Sequence, residues 1–600
     1  MSTNGKVTAI VSNLATVEVD GPVFQNEICF VECGGVKLMA EVIRISGANA
    51  FAQVFESTRG VRTGDPVSFT GRMLEATLGP GMLSKNYDGL QNDLAAKQGM
   101  FLRRGDYTPA IDTTRKWHFI PQQERGAALG AADWLGHVRE GWIEHKIMVP
   151  FDYEGSGTLV SIVPEGDYTV EDTIAILRDA AGNERPLTMC MKWPVKLEIK
   201  GYRHKVRPCK IMETGVRVID TLNPIAEGGT GFIPGPFGSG KTVLQHALAK
   251  FAKADLIVIT ACGERANEVV DLFTHFPTLD DPRTGRKLME RTIIVCNTSN
   301  MPVAAREASV YTGMTIAEYY RMMGLKVLLL ADSTSRWAQA LREISNRMEE
   351  LPGPDAYPMD LPAIISNFYS RAGFVELKNG ASGSITFIGT VSPAGGNLKE
   401  PVSESTKKAA RCFYALSQVR ADRKRYPAVD PIESYSKYLE YDEVIGYLDE
   451  TIETGWAGKV QRLKDLLLRG KEAADQINIL GDDGVPLDYH VTFYKSEIID
   501  FVLLQQDAFD RIDASTPLER QRYMTGLVLA IGAAGFSFNH FEEVGSYFKR
   551  VINLLRQMNY REFKSDSFNE LEQRLFTLID ERSGDGDSVR SFDRKETAAL

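Results

Sequence analysis

Residues 235–242 read Gly235, Pro236, Phe237, Gly238, Ser239, Gly240, Lys241 and Thr242. Three glycines this close together let a backbone wrap a polyphosphate, with several N–H groups turned inward. The residues that follow, with Val243, Leu244, Ala247, Leu248 and Phe251 on one side, predict a helix. Its positive N-terminal end then lies behind the loop, with Val243 in the first turn. Lys241 would reach the β- and γ-phosphates as a point charge, and the Thr242 hydroxyl would complete the shell of a Mg²⁺ carried by the nucleotide. A Gly-rich turn with an incidental lysine is the alternative. The short apolar stretch at residues 231–233 and the helix behind the loop argue against it.

A nucleotide site also needs carboxylates for metal and water. The apolar run that ends at Leu330-Ala331 delivers Asp332, the expected partner of Mg²⁺. The run at residues 255–260 delivers Gly263-Glu264-Arg265. Ligands of open parallel sheets bind outside the carboxyl ends of the strands, so both acids are expected on the phosphate side. Glu264 can then align or deprotonate the attacking water, and Arg265 can meet charge that builds on the γ-phosphate oxygens. The bland reading of each is a solvated loop charge, and Arg265 has a second alternative, that it only orients the acids. His246, on the helix after the loop, reads as a structural imidazole. The eight histidines show no metal-ligand pairing, so substrate-borne Mg²⁺ is the only metal expected.

These residues need elements to hold them. Residues 1–72 are short and β-like: Val7, Ala9 and Val11 alternate, as do Val17 and Val19, with turn signals at Asp20-Gly21-Pro22 and Gly34-Gly35. They predict a small barrel or sandwich. After a lead-in at 73–115, residues 116–191 read as a second β-rich stretch, an inserted structural module. Met191-Lys192-Trp193 is faintly like the modifiable lysine of a carrier domain, but Trp193-Pro194 is wrong for a hairpin tip. From 192 to 435 unalternating apolar runs separated by helical stretches predict an α/β, mostly parallel sheet. Residues 436–580 turn helical, with Val544, Phe548, Val551, Ile552 and Leu555 on one face. The tail at 581–600 is charged and poor in groups to bury, which predicts fraying.

Composition narrows the field. Six hundred residues imply several domains, and 43% hydrophobic with 25% charged residues is ordinary for a globular chain. A net charge of -10 argues against wrapping nucleic acid, which needs a basic face. No apolar run is long enough for a bilayer and the N-terminus lacks a signal-peptide core, so a cytoplasmic chain with only an indirect membrane link is expected. Seven cysteines, with Cys29 and Cys33 the only close pair, read as buried thiols.

The phosphate loop together with Cys262-Gly263-Glu264-Arg265, Asn267-Glu268, the stretch from Asn297 to Ser309, Ala331-Asp332-Ser333-Thr334-Ser335-Arg336-Trp337-Ala338, His145 to Pro150 and Lys192-Trp193-Pro194-Val195 resembles the catalytic (A-type, or alpha) chains of vacuolar/archaeal-type rotary ATPases. The resemblance implies a multidomain α/β chain with an N-terminal β-barrel, a bulge, a RecA-like P-loop domain and a C-terminal helical bundle. It implies ATP/ADP with Mg²⁺ as ligands, coupling to H⁺ or Na⁺ transport, and three copies alternating with three non-catalytic B-type subunits that supply an arginine in trans. Central shaft and peripheral stalk subunits complete the implied complex, on the cytoplasmic face of the cell membrane. By family position Tyr426 and Phe509 are the aromatic clamp on adenine, with Gln506 and Ala508 beside them; ordinary core packing is the alternative for each ring. Ser239 stands where eukaryotic relatives carry a redox-linked cysteine, which favours a prokaryotic enzyme. Residues from Gly455 onward match less clearly. The rival readings are an F-type or export ATPase, a RecA-like helicase and a non-catalytic member of such a ring. The bulge disfavours the first, the acidic balance the second, and the intact Lys241, Thr242, Glu264 and Asp332 set the third.

Overall fold

A computed structural model describes residues 3–96, 104–236, 238–299, 301–583 and 589–590. The expected fraying of 581–600 falls mostly outside them. Two compact units form: Met1–Arg207 with Ala254–Val391 and Leu398–Ala409, and Pro208–Lys253 with Ser392–Asn397 and Ala410–Leu600.

The first unit opens with the barrel. Strands Asn4–Val11, Leu14–Val19, Glu27–Cys33, Val36–Ser46, Asn49–Val54 and Pro66–Met73 close in the order first, second, fifth, fourth, third, sixth. Every neighbouring pair is antiparallel, so closure leaves no open edge. The inward side chains include Val7, Val17, Val31, Leu38, Val42 and Phe69, which meet in one core. Cys29 is buried in that core as a free thiol.

The bulge consists of two four-stranded antiparallel sheets built from residues 116–187. Met191–Pro194 then leaves the sandwich and pairs with Glu75–Leu78, where Lys192 lies opposite Thr77. Lys192 therefore sits inside a paired strand and not at the hairpin tip that a carrier lysine requires. A buried imidazole ties the bulge down. His145 Nδ1 is 2.6 Å from Glu140 Oε2 and its Nε2 is 2.8 Å from the Tyr319 hydroxyl. The other Glu140 oxygen accepts N–H bonds from Gly81 (2.7 Å) and Leu83 (3.1 Å).

The rest of this unit is a parallel sheet whose strands run in the order Ser382–Val391, Lys326–Asp332, Leu256–Glu264, Thr292–Thr298, Asn86–Tyr87. The four longer strands are buried along nearly their whole length, which is why their sequences do not alternate. Helix Val303–Arg321 is covered on almost every side.

In the second unit, strand Thr230–Pro234 runs parallel to Cys412–Phe413, which pairs in turn with Tyr435–Ser436. Helix Lys241–Phe251 follows the strand. The C-terminal bundle comprises Asp442–Thr451, Trp456–Leu480, Leu487–Ile499, Leu518–Ala533, Phe541–Asn559 and Asp566–Asp580. Val544, Phe548, Val551, Ile552 and Leu555 are all buried, as their helical spacing requires.

Candidate functional site

The phosphate loop leaves strand Thr230–Pro234 and enters helix Lys241–Phe251. Only glycine fits at Gly235, because a Cβ there would lie 2.7 Å from both Leu416 Cβ and Ser239 Oγ. Gly238 and Gly240 take φ of +80° and +90°, which a side chain would strain. Ser239 is buried and donates its hydroxyl to the Pro236 carbonyl at 2.7 Å, fastening the turn from inside. Lys241 Nζ folds back onto the loop and donates to the carbonyls of Gly235 (2.7 Å) and Pro236 (3.0 Å). Gly240 caps the helix without a side-chain hydrogen bond, so no capping side chain competes for the first-turn amides. Thr242 and Val243 are exposed in that first turn, while Leu244 and Leu248 anchor the helix in the core. His246 is half-buried on the same helix. Phe237 lies outside the described residues.

Beside the loop a cavity of about 440 Å³ opens, within the usual range for a small-molecule site. Gly238, Gly240 and Val243 line one side, and Tyr426, Ala508 and Phe509 another. The two rings are unusual for aromatics: Tyr426 is 43% exposed and Phe509 is 89% exposed. Core packing, the alternative reading of these rings, does not describe Phe509. Gln506 also lines the cavity, but its amide is committed to the protein. Its Oε1 accepts from the Arg217 N–H at 2.9 Å, and its Nε2 donates to the carbonyls of Gly215 and Asp513 at 2.8 Å each.

Sequence reasoning missed Leu416, Lys424, Phe501, Arg556, Asn559 and Tyr560 of the same lining. Arg556 and Asn559 close the helix whose apolar stripe was legible. Arg556 holds its guanidinium 5.6 Å from the Phe501 ring centroid, and Asn559 donates to the Val502 carbonyl at 2.8 Å. No local pattern marks them, since the wall forms only when this helix packs. A glycine loop held at positive φ, an uncapped helix terminus, a short-tethered ammonium and a cavity edged by exposed rings fit a nucleoside triphosphate.

The carboxylates belong to the first unit. Glu264 and Asp332 end adjacent parallel strands, with Ala261 in register with Asp332, so both emerge at the same edge of that sheet. The Thr390 hydroxyl donates to Asp332 Oδ1 at 2.5 Å. Burial, a hydrogen bond shared with Glu268 and the charge of Asp332 push the Glu264 carboxyl well above the usual carboxylate range. Arg336 opposes this shift in part. Arg336 was legible only as part of a motif, yet it is the cation whose field reaches Glu264. Arg265 itself is exposed and stands before helix Ala266–His275 in extended conformation. Gly263 takes φ +68°, and a Cβ there would lie 3.1 Å from Arg336 Cβ. Among the described residues, no group of three or more His, Cys, Asp or Glu is placed to hold a metal ion.

Three stretches match known domains. Residues 7–71 match the beta-barrel domain of the ATP synthase alpha/beta family, residues 108–196 the alpha/beta subunit barrel-sandwich domain, and residues 215–436 the family's nucleotide-binding domain. The V-type ATP synthase alpha chain of Borrelia recurrentis is 48% identical over 585 residues, 96% of this chain and 99% of that one. That of Treponema denticola is 48% identical over 584 residues, 97% of each. The chain belongs to the V-type ATP synthase alpha chains. These V-type relatives are bacterial. The matched nucleotide-binding domain of this alpha chain contains residues 235–242, Glu264, Arg265, Asp332 and Tyr426, whereas Gln506, Ala508 and Phe509 lie beyond all three matched stretches. No described helix of the alpha chain is long and apolar enough to cross a membrane.

Proposed function

We propose that this chain is the catalytic subunit of a V-type rotary ATPase, hydrolysing or synthesising ATP in step with transport of H⁺ or Na⁺ by partner subunits. The observation that carries the reading is the glycine-strained phosphate loop opening onto a cavity edged by Tyr426 and Phe509. Lys241 and the first-turn amides of Thr242 and Val243 bind and polarise the β- and γ-phosphates. The Thr242 hydroxyl and the Asp332 carboxylate would hold Mg²⁺, which neutralises charge on the phosphates. Glu264, once its carboxyl has ionised against the burial and neighbouring acids that favour its protonated form, takes the proton of the attacking water. Arg265 supplies a positive charge to the transferring group, and Tyr426, Ala508 and Phe509 hold the adenine.

In this reading three copies alternate with three non-catalytic B-type subunits, each of which contributes an arginine. Shaft and stalk subunits link the ring to the membrane at its cytoplasmic face. An arginine delivered across an interface is worth about 10³–10⁵ in rate. The purified chain alone therefore binds ATP and hydrolyses it poorly, and addition of the partner raises turnover. Steady-state hydrolysis by the chain alone, by the reconstituted ring and by a ring lacking the partner's interface arginine tests this. Full activity in the monomer, at dilutions where no oligomer survives, refutes the shared-site reading.

A further inference from the structure

Arg217 is a buried arginine with no place in the chemistry above; it is 1% exposed. Its Nη1 donates to Asp513 Oδ1 at 2.5 Å and to the Thr516 hydroxyl at 3.0 Å. Its Nε donates to the Leu503 carbonyl at 3.3 Å, and its Nη2 to the Gln505 carbonyl. Asp513, 3% exposed, uses its other oxygen to accept the backbone N–H of Asp507 at 2.7 Å. Gln506 accepts from the Arg217 backbone and donates to Gly215 and Asp513. The Gln506 N–H, in turn, donates to the Tyr426 carbonyl at 2.9 Å.

These bonds converge on one short turn. Asp507 precedes Ala508 and Phe509, which line the cavity together with Tyr426. The Phe509 ring is almost wholly exposed, so its position is set by the backbone that carries it. That backbone is held from behind by a charged pair and an amide, and charge-assisted, multiply bonded groups fix geometry more tightly than single neutral bonds. The bonds run to residues 215–217, 426 and 503–516, not to the phosphate loop.

We propose that Arg217, Asp513 and Gln506 are positioning residues for the nucleobase: they hold the turn bearing Ala508 and Phe509 at the spacing from Tyr426 that a purine needs, and so govern affinity for the base and not for the phosphates. The inference rests on the nucleotide reading of the cavity. It reassigns Gln506 from ligand contact to support.

The test uses the full-length chain and two probes, ATP and inorganic tripolyphosphate, which lacks a base. Asp513→Asn keeps the shape and removes the charge; Arg217→Lys keeps the charge and removes the fork. Calorimetric titration is expected to show ATP affinity falling about tenfold or more in each variant, with tripolyphosphate affinity unchanged within about twofold. Adding Phe509→Ala to Asp513→Asn should weaken ATP binding little further, because both act through one wall. Without any variant, amide exchange over residues 505–513 is expected to slow with ATP and not with tripolyphosphate. Equal losses for both probes, no loss for either, or equal protection by both overturns the proposal. Wild-type chain that binds neither probe, or binds them without competition, instead overturns the nucleotide reading itself.

Discussion

Replacing Phe509 by alanine separates binding from folding more cleanly than any other change at this site. The ring is 89% exposed, so its removal takes almost no apolar surface out of the core. Changes of that kind stay within about 0.5 kcal/mol of neutral in stability. Once adenine covers the ring, the balance differs: stacking of a base on an aromatic side chain is worth about 1–3 kcal/mol. Phe509→Ala should therefore raise the dissociation constant for ATP by about 5- to 150-fold while leaving the melting temperature in place. Calorimetry on the full-length chain gives the first number and a thermal melt the second. Inorganic tripolyphosphate, which has no base to stack, should bind both proteins alike. An ATP affinity unchanged within about twofold refutes Phe509 as a base wall. A melting temperature that drops by several degrees refutes the assumption that the ring holds nothing up.

Two further outcomes are expected. Glu264→Gln retains ATP binding but slows turnover of the ring by at least about 10²-fold. Because burial, Glu268 and Asp332 favour the protonated Glu264 carboxyl, wild-type turnover should climb as pH rises through its ionisation, and the variant should lack that limb in a stopped-assay pH series; equal losses in binding and turnover mark Glu264 as structural. Burial pushes Asp220 up to about 6 despite bonds from Thr214, Gly215 and Gln521. Between its ordinary value and about pH 6 the folded chain keeps a proton that the unfolded chain has released, so stability falls as pH rises. From about pH 5 to about pH 7 the stability advantage of wild type over Asp220→Asn should shrink by about 1 kcal/mol in paired urea titrations. A constant difference contradicts the assignment.

The parts of this molecule that local sequence displays are those that rest on backbone chemistry or periodicity. The loop at 235–242 was readable because glycine spacing and an ammonium define it without reference to the rest of the chain. A small barrel or sandwich was readable from alternation at Val7 to Val19, and the parallel sheet from runs such as residues 256–259, which bury both faces. The acids followed from strand ends, since Asp332 and Glu264 each close an apolar run. Other features had no local signature. Arg336 acts on the strand-end Glu264 from helix Thr334–Arg347, and Arg217 meets Asp513 from 296 residues away. Gln506 looked like a ligand contact beside an aromatic clamp, and the three internal bonds of its side chain leave no trace in the local sequence. The lining from Phe501, Arg556 and Asn559 exists because one helix of the C-terminal bundle packs against the short helical segment Asp500–Leu504, which periodicity cannot announce.

The central claim is that ATP turnover by the complex runs through the phosphate loop of this chain, and Lys241→Ala in an otherwise wild-type, fully assembled ring tests it most directly. Lys241 is the loop's own cation, held by the carbonyls of Gly235 and Pro236, and its loss removes the charge closest to the β- and γ-phosphates. The ring carrying Lys241→Ala should assemble, bind ATP at this site far more weakly and show no steady-state hydrolysis above background. Hydrolysis at a near wild-type rate by that ring would contradict the account.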